Sequence, residues 1–118
     1  MAAGAAAEHR GAEKPGVTPA EAAAILREIL SGIRPLAPVD PRRVWAMTAY
    51  GPVGVFADGW RCVFHAEDGS LDRLESIRTP EGREGHWTRW FTAGDDNPLH
   101  LLDEGEQQEL EIRLRQCR

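Results

Sequence analysis

The fold of this chain is decided around residues 58–65, which read DGWRCVFH and directly follow the apolar run VGVFA of residues 53–57. The pair Asp58-Gly59 is a strong signal for a two-residue β-hairpin turn, because both residue types tolerate the positive φ angles that such a turn requires. Two antiparallel strands are therefore predicted to pair across this turn.

The second strand of the hairpin contains a cysteine and a histidine, and the strand period decides whether they act together. Successive side chains of a strand point to opposite faces of the sheet. Cys62 therefore shares a face with Trp60 and Phe64, whereas His65 points the other way. Because a flat strand does not bring a Cys-x-x-His pair onto one metal ion, Cys62 is interpreted as a buried structural residue and no metal site is predicted.

A helix is predicted to start at Thr18, upstream of the hairpin. Thr18 is a capping residue, Pro19 fits the first helical position, and Glu21 completes a Thr-x-x-Glu capping box. Apolar residues then recur at spacings of three and four as far as Ile33, which gives the helix one face to bury. Gly32 is placed to end it in a left-handed conformation.

The remaining strands are assigned by the same rules. Residues 44–50, which read VWAMTAY, alternate as a strand would, whereas two prolines within residues 36–43 indicate a connection. Residues 71–78 have Leu or Ile at every third position, which fits a strand with a bulge. Residues 86–91 alternate again and are predicted as the last strand.

The C-terminal part is predicted to be helical. Asn97-Pro98 indicates a short helical turn, and Asp103 with Glu106 repeats the capping-box pattern before a final helix. The predicted fold class is therefore α+β, with an N-terminal helix, an antiparallel meander of four to five strands and a C-terminal helix, both helices packing on one sheet face.

Length and composition indicate one domain in the cytoplasm. The chain has 118 residues, of which residues 1–17 are expected to form a flexible tail and residues 18–118 a single α+β domain. Cys62 and Cys117 do not form a disulfide framework and are expected to be reduced thiols. We expect no signal peptide, and no run of about 18 apolar residues predicts a membrane span.

The charge and the motifs exclude several classes of function. A formal net charge of -5 disfavours binding to nucleic acid, whose affinity comes largely from a clustered basic surface. The sequence contains neither a phosphate-binding Gly-x-x-x-x-Gly-Lys nor a Gly-x-Ser-x-Gly nucleophile motif. No catalytic residue and no cofactor are predicted, and whether the protein is an enzyme stays open, with a non-enzyme favoured.

Five short segments carry a family resemblance: Ile33-Arg34-Pro35-Leu36, Tyr50-Gly51, Asp58-Gly59-Trp60-Arg61, Pro80-Glu81-Gly82-Arg83, and Pro98 with Leu101-Leu102. With these segments the chain resembles a family of short, uncharacterised bacterial proteins of the pseudomonad type, which are grouped as a domain of unknown function. The resemblance spans roughly residues 18–114. It implies the single-domain α+β fold and supplies no activity and no catalytic residue.

The aromatic residues suggest a binding surface on the sheet. Trp87 and Trp90, three residues apart on a predicted strand, should face opposite sides, so one of them is expected to be exposed. An exposed Trp beside Arg89 or Tyr50 could stack on a ligand or anchor a protein partner. The leading hypothesis is therefore a small binding or protein-interaction module that uses an aromatic and arginine-bearing sheet surface.

Two alternatives remain open. One is a small enzyme or ligand-binding protein with a pocket between sheet and helices, using His65 or His86 beside an acid. The other is a homodimer formed through an uncovered edge strand. The identity of a protein partner or small molecule is not predicted.

Overall fold

The computed structural model describes residues 15–118, which form one antiparallel sheet with helices at both ends of the chain. The strand order β1-β2-β3-β4-β5 follows the chain order, so the predicted α+β meander between two helices is confirmed. The elements are helix α1 (Pro19–Leu30), β1 (Leu36–Pro38), a first 3₁₀ helix (Trp45–Met47), β2 (Gly51–Ala57), β3 (Trp60–Glu67), β4 (Ser70–Arg78), β5 (Glu84–His86), helix α2 (Trp87–Thr92), a second 3₁₀ helix (Pro98–Leu101) and helix α3 (Glu104–Gln116).

The central hairpin forms as predicted. Asp58 and Gly59 have φ angles of 47° and 89°, and Ala57 pairs with Trp60 directly across the turn. Positive φ at both turn residues matches the right-handed twist of the flanking strands. The pairing of β2 with β3 runs without interruption to Gly51 and Ala66.

The predicted bulge in β4 is confirmed, and the strand contains two of them. Phe64 pairs with Leu74 although the next pair is Val63 with Ser76, so Glu75 is an additional residue on β4. In the same way, Asp72 lies between the residues paired with His65 and Ala66. Such bulges bend a strand and redirect its side chains.

Helices α1 and α3 cover one face of the sheet, as predicted. Cys62 and Phe64 on this face are fully buried against side chains such as Leu26 of α1 and Leu110 of α3. Each buried aliphatic or aromatic side chain contributes about 1.5–3 kcal/mol to folding. The opposite face, called here the open sheet face, carries Phe56, Arg61, Val63, His65 and Ser76, none of which is fully buried.

Both predicted capping boxes form, and they set the starts of the two long helices. Thr18 accepts a hydrogen bond from the backbone N–H of Glu21, whose side chain accepts from Thr18 N–H in return. Asp103 and Glu106 exchange the same two bonds at the start of α3. Gly32 has the predicted positive φ, 85°.

The predicted strand over residues 44–50 is wrong. Its first part forms the 3₁₀ helix Trp45–Met47, and the Thr48 hydroxyl donates to Val44 O, as expected for a helical turn. Trp45 and Thr48, three residues apart, are the buried members of the segment, whereas Met47 and Tyr50 are exposed. A burial period of three belongs to a 3₁₀ turn and not to a strand.

The predicted last strand over residues 86–91 is also wrong. Only Glu84–His86 pairs with β4, and the chain then turns into α2. The His86 side chain caps this helix by accepting from Thr88 N–H, and Gly94 follows it with a φ of 81°. Trp87 and Trp90 are therefore residues of a helix and not of a sheet surface.

The predicted connection over residues 36–43 contains a strand. Leu36–Pro38 pairs with β2 as an edge strand, and the pairing continues through Val39 N–H, which donates to Gly54 O. Proline is tolerated in β1 because an edge strand has one side without partners.

The predicted flexible tail comprises residues 1–17, of which residues 1–14 lie outside the described residues. Its last residue, Val17, is buried in the core and donates its backbone N–H to Glu84 O on β5. Among the described residues, no helix is long and apolar enough to cross a membrane.

Candidate functional site

A cleft of about 500 Å³ lies where the edge of β4 meets α2 and the loop that follows it. It exists because β5 ends after three residues, so the first half of β4 is paired with β3 on one edge and with no strand on the other. We call it the aromatic cleft. Its lining residues are Asp72, Arg73, Trp87, Trp90, Phe91, Gly94, Asp95, Asp96, Asn97 and His100.

Asn97 closes the floor of the cleft. Its side-chain amide accepts from Leu74 N–H at 3.1 Å and donates to Leu74 O at 2.9 Å. The same oxygen accepts from Leu99 N–H and caps the second 3₁₀ helix. This one side chain therefore satisfies the backbone of β4 at the point where a neighbouring strand is missing.

Arg73 forms the basic part of the lining. Its guanidinium carbon lies 4.2 Å from the centre of the Trp87 ring, which is within cation–π range. One terminal nitrogen is 3.0 Å from Asp72 Oδ2 and the other is 3.6 Å from Glu75 Oε1. Asp72 and Glu75 are the two bulge residues of β4, so the bulges supply both carboxylates that neutralise Arg73.

His65 extends this group of charges onto the open sheet face. Its Nδ1 lies 3.5 Å from Glu75 Oε1, and both side chains are largely buried. Within residues 15–118, neither His65 Nδ1 nor Arg73 Nε has a hydrogen-bond partner, although both atoms are buried. His65 thus has an acid beside it, but it does not line the aromatic cleft.

Helix α2 supplies the aromatic wall. Trp87 and Phe91 lie one helical turn apart with ring centres 6.3 Å apart, and Phe91 is 76% exposed. Trp90 is only 5% exposed, and its Nε1 donates to Val17 O at 3.0 Å. Trp87 is therefore half-buried between the core and the cleft, and Phe91 offers its ring to solvent.

The outer rim of the cleft is acidic. Asp95 and Asp96 follow α2 and are both exposed. In the part of the chain that the structure describes, neither carboxylate forms an ion pair, whereas Arg73 is already paired with Asp72 and Glu75. The lining therefore has two carboxylates, those of Asp95 and Asp96, beyond the ones that neutralise Arg73.

The residues predicted as binding residues lie in four separate places, one of which is the position of His65 on the open sheet face. Trp87 and Trp90 line the aromatic cleft, whereas Arg89 and His86 border a different depression of about 470 Å³ beside Glu84. Tyr50 is exposed and donates its hydroxyl to Asp68 in the turn between β3 and β4. The predicted placement of Trp87 and Trp90 on opposite faces of a strand is wrong, because both residues lie on α2.

The sequence prediction missed Arg73 and Phe91 as lining residues. Trp87, Trp90 and Phe91 are spaced by three and four, which is the period of a helix, and Gly94 follows at a position suited to end one. This signal could have identified α2. No local signal places Arg73 on Trp87, because their contact depends on the two bulges of β4.

The two thiols contribute no reactive group to the site. Burial raises the pKa of Cys62 from its ordinary value of 9.0 to about 12, and burial also raises the pKa of Cys117. A thiol with a raised pKa is a poor nucleophile and metal ligand. Across residues 15–118, no group of three or more His, Cys, Asp or Glu side chains is arranged to hold a metal ion.

Comparison with known proteins gives one match. A family model described as "Domain of unknown function (DUF7693)" covers residues 16–116 of the chain. No curated protein and no solved structure matches the chain.

Proposed function

Because the chain belongs to the DUF7693 family, whose description names no activity, we propose from its geometry that it is a small cytoplasmic binding module and that the aromatic cleft is its contact surface. The contact surface proposed here lies at the corner between β4 and α2, and not on the sheet surface expected from the sequence. Two buried, unpaired thiols support the cytoplasmic setting. The bacterial origin implied by the resemblance stays a prediction.

The observation that carries the proposal is the exposed Phe91 ring beside Trp87 in a cleft of about 500 Å³. Aromatic residues dominate the hot spots of protein interfaces, and they gain most when they line a concave surface that water leaves on binding. Because Trp87 is held by Arg73 on β4, the wall is in place before a partner arrives.

The charges of the cleft select the occupant. Asp95 and Asp96 stand at the rim without ion pairs among the described residues, and the whole chain has a net charge of -5. Both features attract cations and repel anions. The best-fitting partner is a protein segment that presents an Arg or Lys side chain to the rim and an apolar side chain to Phe91 and Trp87.

Binding of short peptides tests this proposal. Four acetylated pentapeptides, Gly-Leu-X-Leu-Gly with X as Arg, Lys, Gln or Glu, are titrated while Trp fluorescence is recorded. We expect the Arg and Lys peptides to bind and the Glu peptide to fail. Phe91→Ala, and Asp95→Asn combined with Asp96→Asn, should each weaken binding at least tenfold.

Matched controls separate the cleft from the rest of the surface. Phe56→Ala removes an exposed aromatic ring from the open sheet face, and Glu67→Gln removes an exposed carboxylate at the end of β3. Both should bind as the wild type does. Equal binding of the Glu and Arg peptides, or unchanged binding by the Phe91 variant, would refute the proposal.

Light scattering on the free protein tests the alternative occupant, a second copy of this chain.

A second candidate is the small enzyme or ligand-binding protein that uses a histidine. The observation in its favour is the His65–Glu75 contact of 3.5 Å, because a carboxylate beside a largely buried imidazole suits a general base. His86 has no such support, since its Nδ1 is occupied by Thr88. Native mass spectrometry can identify a small molecule that remains bound to wild-type protein and to His65→Gln protein. If both proteins carry the same chemically unmodified molecule, His65 does not catalyse its turnover.

A further inference from the structure

Two arginines face each other on the open sheet face, away from the aromatic cleft. Arg61 on β3 and Arg78 on β4 are direct cross-strand partners. Side chains in this arrangement have Cβ atoms about 4.5–5.5 Å apart, and like charges directly opposite each other are destabilising. The pair is therefore unfavourable unless a negative charge lies between the two guanidinium groups.

The described residues only partly supply that charge. Arg78 lies 3.7 Å from Glu84 Oε2, but the two side chains are 56% and 67% exposed, so this ion pair is weak. Across residues 15–118, Arg61 has no ion pair and no side-chain hydrogen bond. One exposed carboxylate thus stands against two guanidinium groups.

The surface between the arginines is concave and has a polar and an apolar side. A depression of about 230 Å³ is lined by Arg61, Arg78, Val63, Ser76, Ile77 and Glu84. Ser76 pairs directly with Val63 in the next cross-strand row, so its hydroxyl can donate to a group held by the arginines. On the other side of Arg61, its β2 partner Phe56 is 42% exposed.

We infer that Arg61 and Arg78 bind the phosphate group of a small organic phosphate ester, whose apolar part rests on Phe56 and Val63. A guanidinium presents five N–H donors in a planar fork that matches phosphate oxygens. A phosphate carries about -1.5 to -2 charges and three acceptor oxygens, enough to engage both arginines and Ser76 at once. A carboxylate has two acceptor oxygens, one fewer than a phosphate offers to the two arginines and Ser76.

Titration calorimetry with phenyl phosphate and with inorganic phosphate tests the site. We expect phenyl phosphate to bind wild-type protein more tightly than inorganic phosphate, because only the ester has a ring for Phe56. Arg61→Gln and Arg78→Gln should each weaken phenyl phosphate binding at least tenfold. Arg115→Gln, which removes an exposed arginine paired with Glu111 on α3, should leave it unchanged.

Thermal unfolding separates binding from a purely structural role. Without phosphate, Arg61→Gln should unfold at the same or a higher temperature than wild type, because a like-charge contact is removed. Adding phenyl phosphate should raise the melting temperature of wild type and not that of the variant. Phe91→Ala should keep the full response, since Phe91 belongs to the aromatic cleft.

Three results would overturn the inference. The first is unchanged phenyl phosphate affinity in Arg61→Gln, and the second is equal stabilisation by sodium chloride at matched ionic strength, which would mean charge screening alone. The third is equal affinity for inorganic phosphate and phenyl phosphate, which would show that the phenyl ring makes no favourable contact with Phe56. None of these results bears on peptide binding at the aromatic cleft.

Discussion

The side-chain amide of Asn97 pairs with the backbone of Leu74 as a residue of a neighbouring strand would, with one hydrogen bond of 3.1 Å and one of 2.9 Å. The pairing occurs where β4 continues past the end of β5. A side chain therefore replaces a strand at this edge, and the loop that follows α2 is held against the sheet beside the aromatic cleft.

Asn97→Ala should destabilise the protein and expose this edge. It removes both bonds to Leu74 and the cap on Leu99 N–H, so we expect a loss of about 1–3 kcal/mol in unfolding free energy. Urea unfolding measures the loss, and hydrogen exchange should show faster exchange of the Leu74 amide. Asn97→Asp keeps the acceptor oxygen but places a second oxygen, which cannot donate, against Leu74 O, so it should destabilise the protein as well. An unchanged Leu74 exchange rate would contradict this account of the edge.

Gly85→Ala should destabilise the packing of α2 on the sheet. A Cβ atom at Gly85 would lie 2.5 Å from Trp90 Cζ2 and 2.9 Å from Val17 O, so the indole and the chain before α1 must both move. We expect a cost of about 1–3 kcal/mol, as for other overpacked cores. Thermal unfolding followed by Trp fluorescence measures it.

Gly105→Ala is the matched control for that substitution. Gly105 lies in the first turn of α3 and is exposed, and the nearest atom to an added Cβ is 3.4 Å away. Alanine in place of glycine should therefore stabilise the helix by about 0.5–1 kcal/mol. If Gly85→Ala and Gly105→Ala change stability in the same direction, the close approach of Trp90 to Gly85 does not explain the effect of Gly85→Ala.

Arg73→Met should loosen the wall of the aromatic cleft. The substitution keeps an unbranched side chain but removes the guanidinium from Trp87, Asp72 and Glu75. Because the Arg73 side chain is 28% exposed, solvent screens these contacts and we expect a loss of about 1 kcal/mol. Trp fluorescence should shift as well. Arg115→Met, on the surface of α3, should change neither quantity measurably.

Cys62 should make the protein sensitive to high pH. Burial holds its pKa at about 12 in the folded state against 9.0 as its ordinary value, so the folded protein keeps the thiol proton where the unfolded chain releases it. The stabilising effect of the neutral thiol is full below about pH 9 and is lost as the pH rises toward 12, at up to about 1.4 kcal/mol per pH unit.

Cys62→Ala should remove this part of the pH dependence, although it lowers stability at neutral pH by leaving a cavity. The difference in unfolding free energy between wild type and variant should shrink as the pH rises from 9 to 11. A thiol reagent should also modify Cys62 in urea but not in the folded protein. Parallel pH profiles for the two proteins would show that Cys62 does not titrate differently on folding.

The sequence by itself determined the features that depend on neighbours within about four residues. The capping boxes of Thr18 and Asp103 and the turn at Asp58-Gly59 each need only local hydrogen bonds or positive φ angles, so their residue types specify them. The alternation of β3 follows directly, which is why Cys62 was correctly predicted in the core with His65 on the other face.

Only the tertiary structure decided the segments whose residues suit more than one conformation. Trp90 suits a strand or a helix by its own preference. It is helical here because its indole donates to Val17 O, 73 residues away in sequence, and because Gly85 has no side chain to block that contact. Likewise, the contact of Arg73 with Trp87 and the opposition of Arg61 and Arg78 depend on the register of β3 with β4, which two bulges set. Such contacts depend on packing between distant segments, and a local pattern does not encode them.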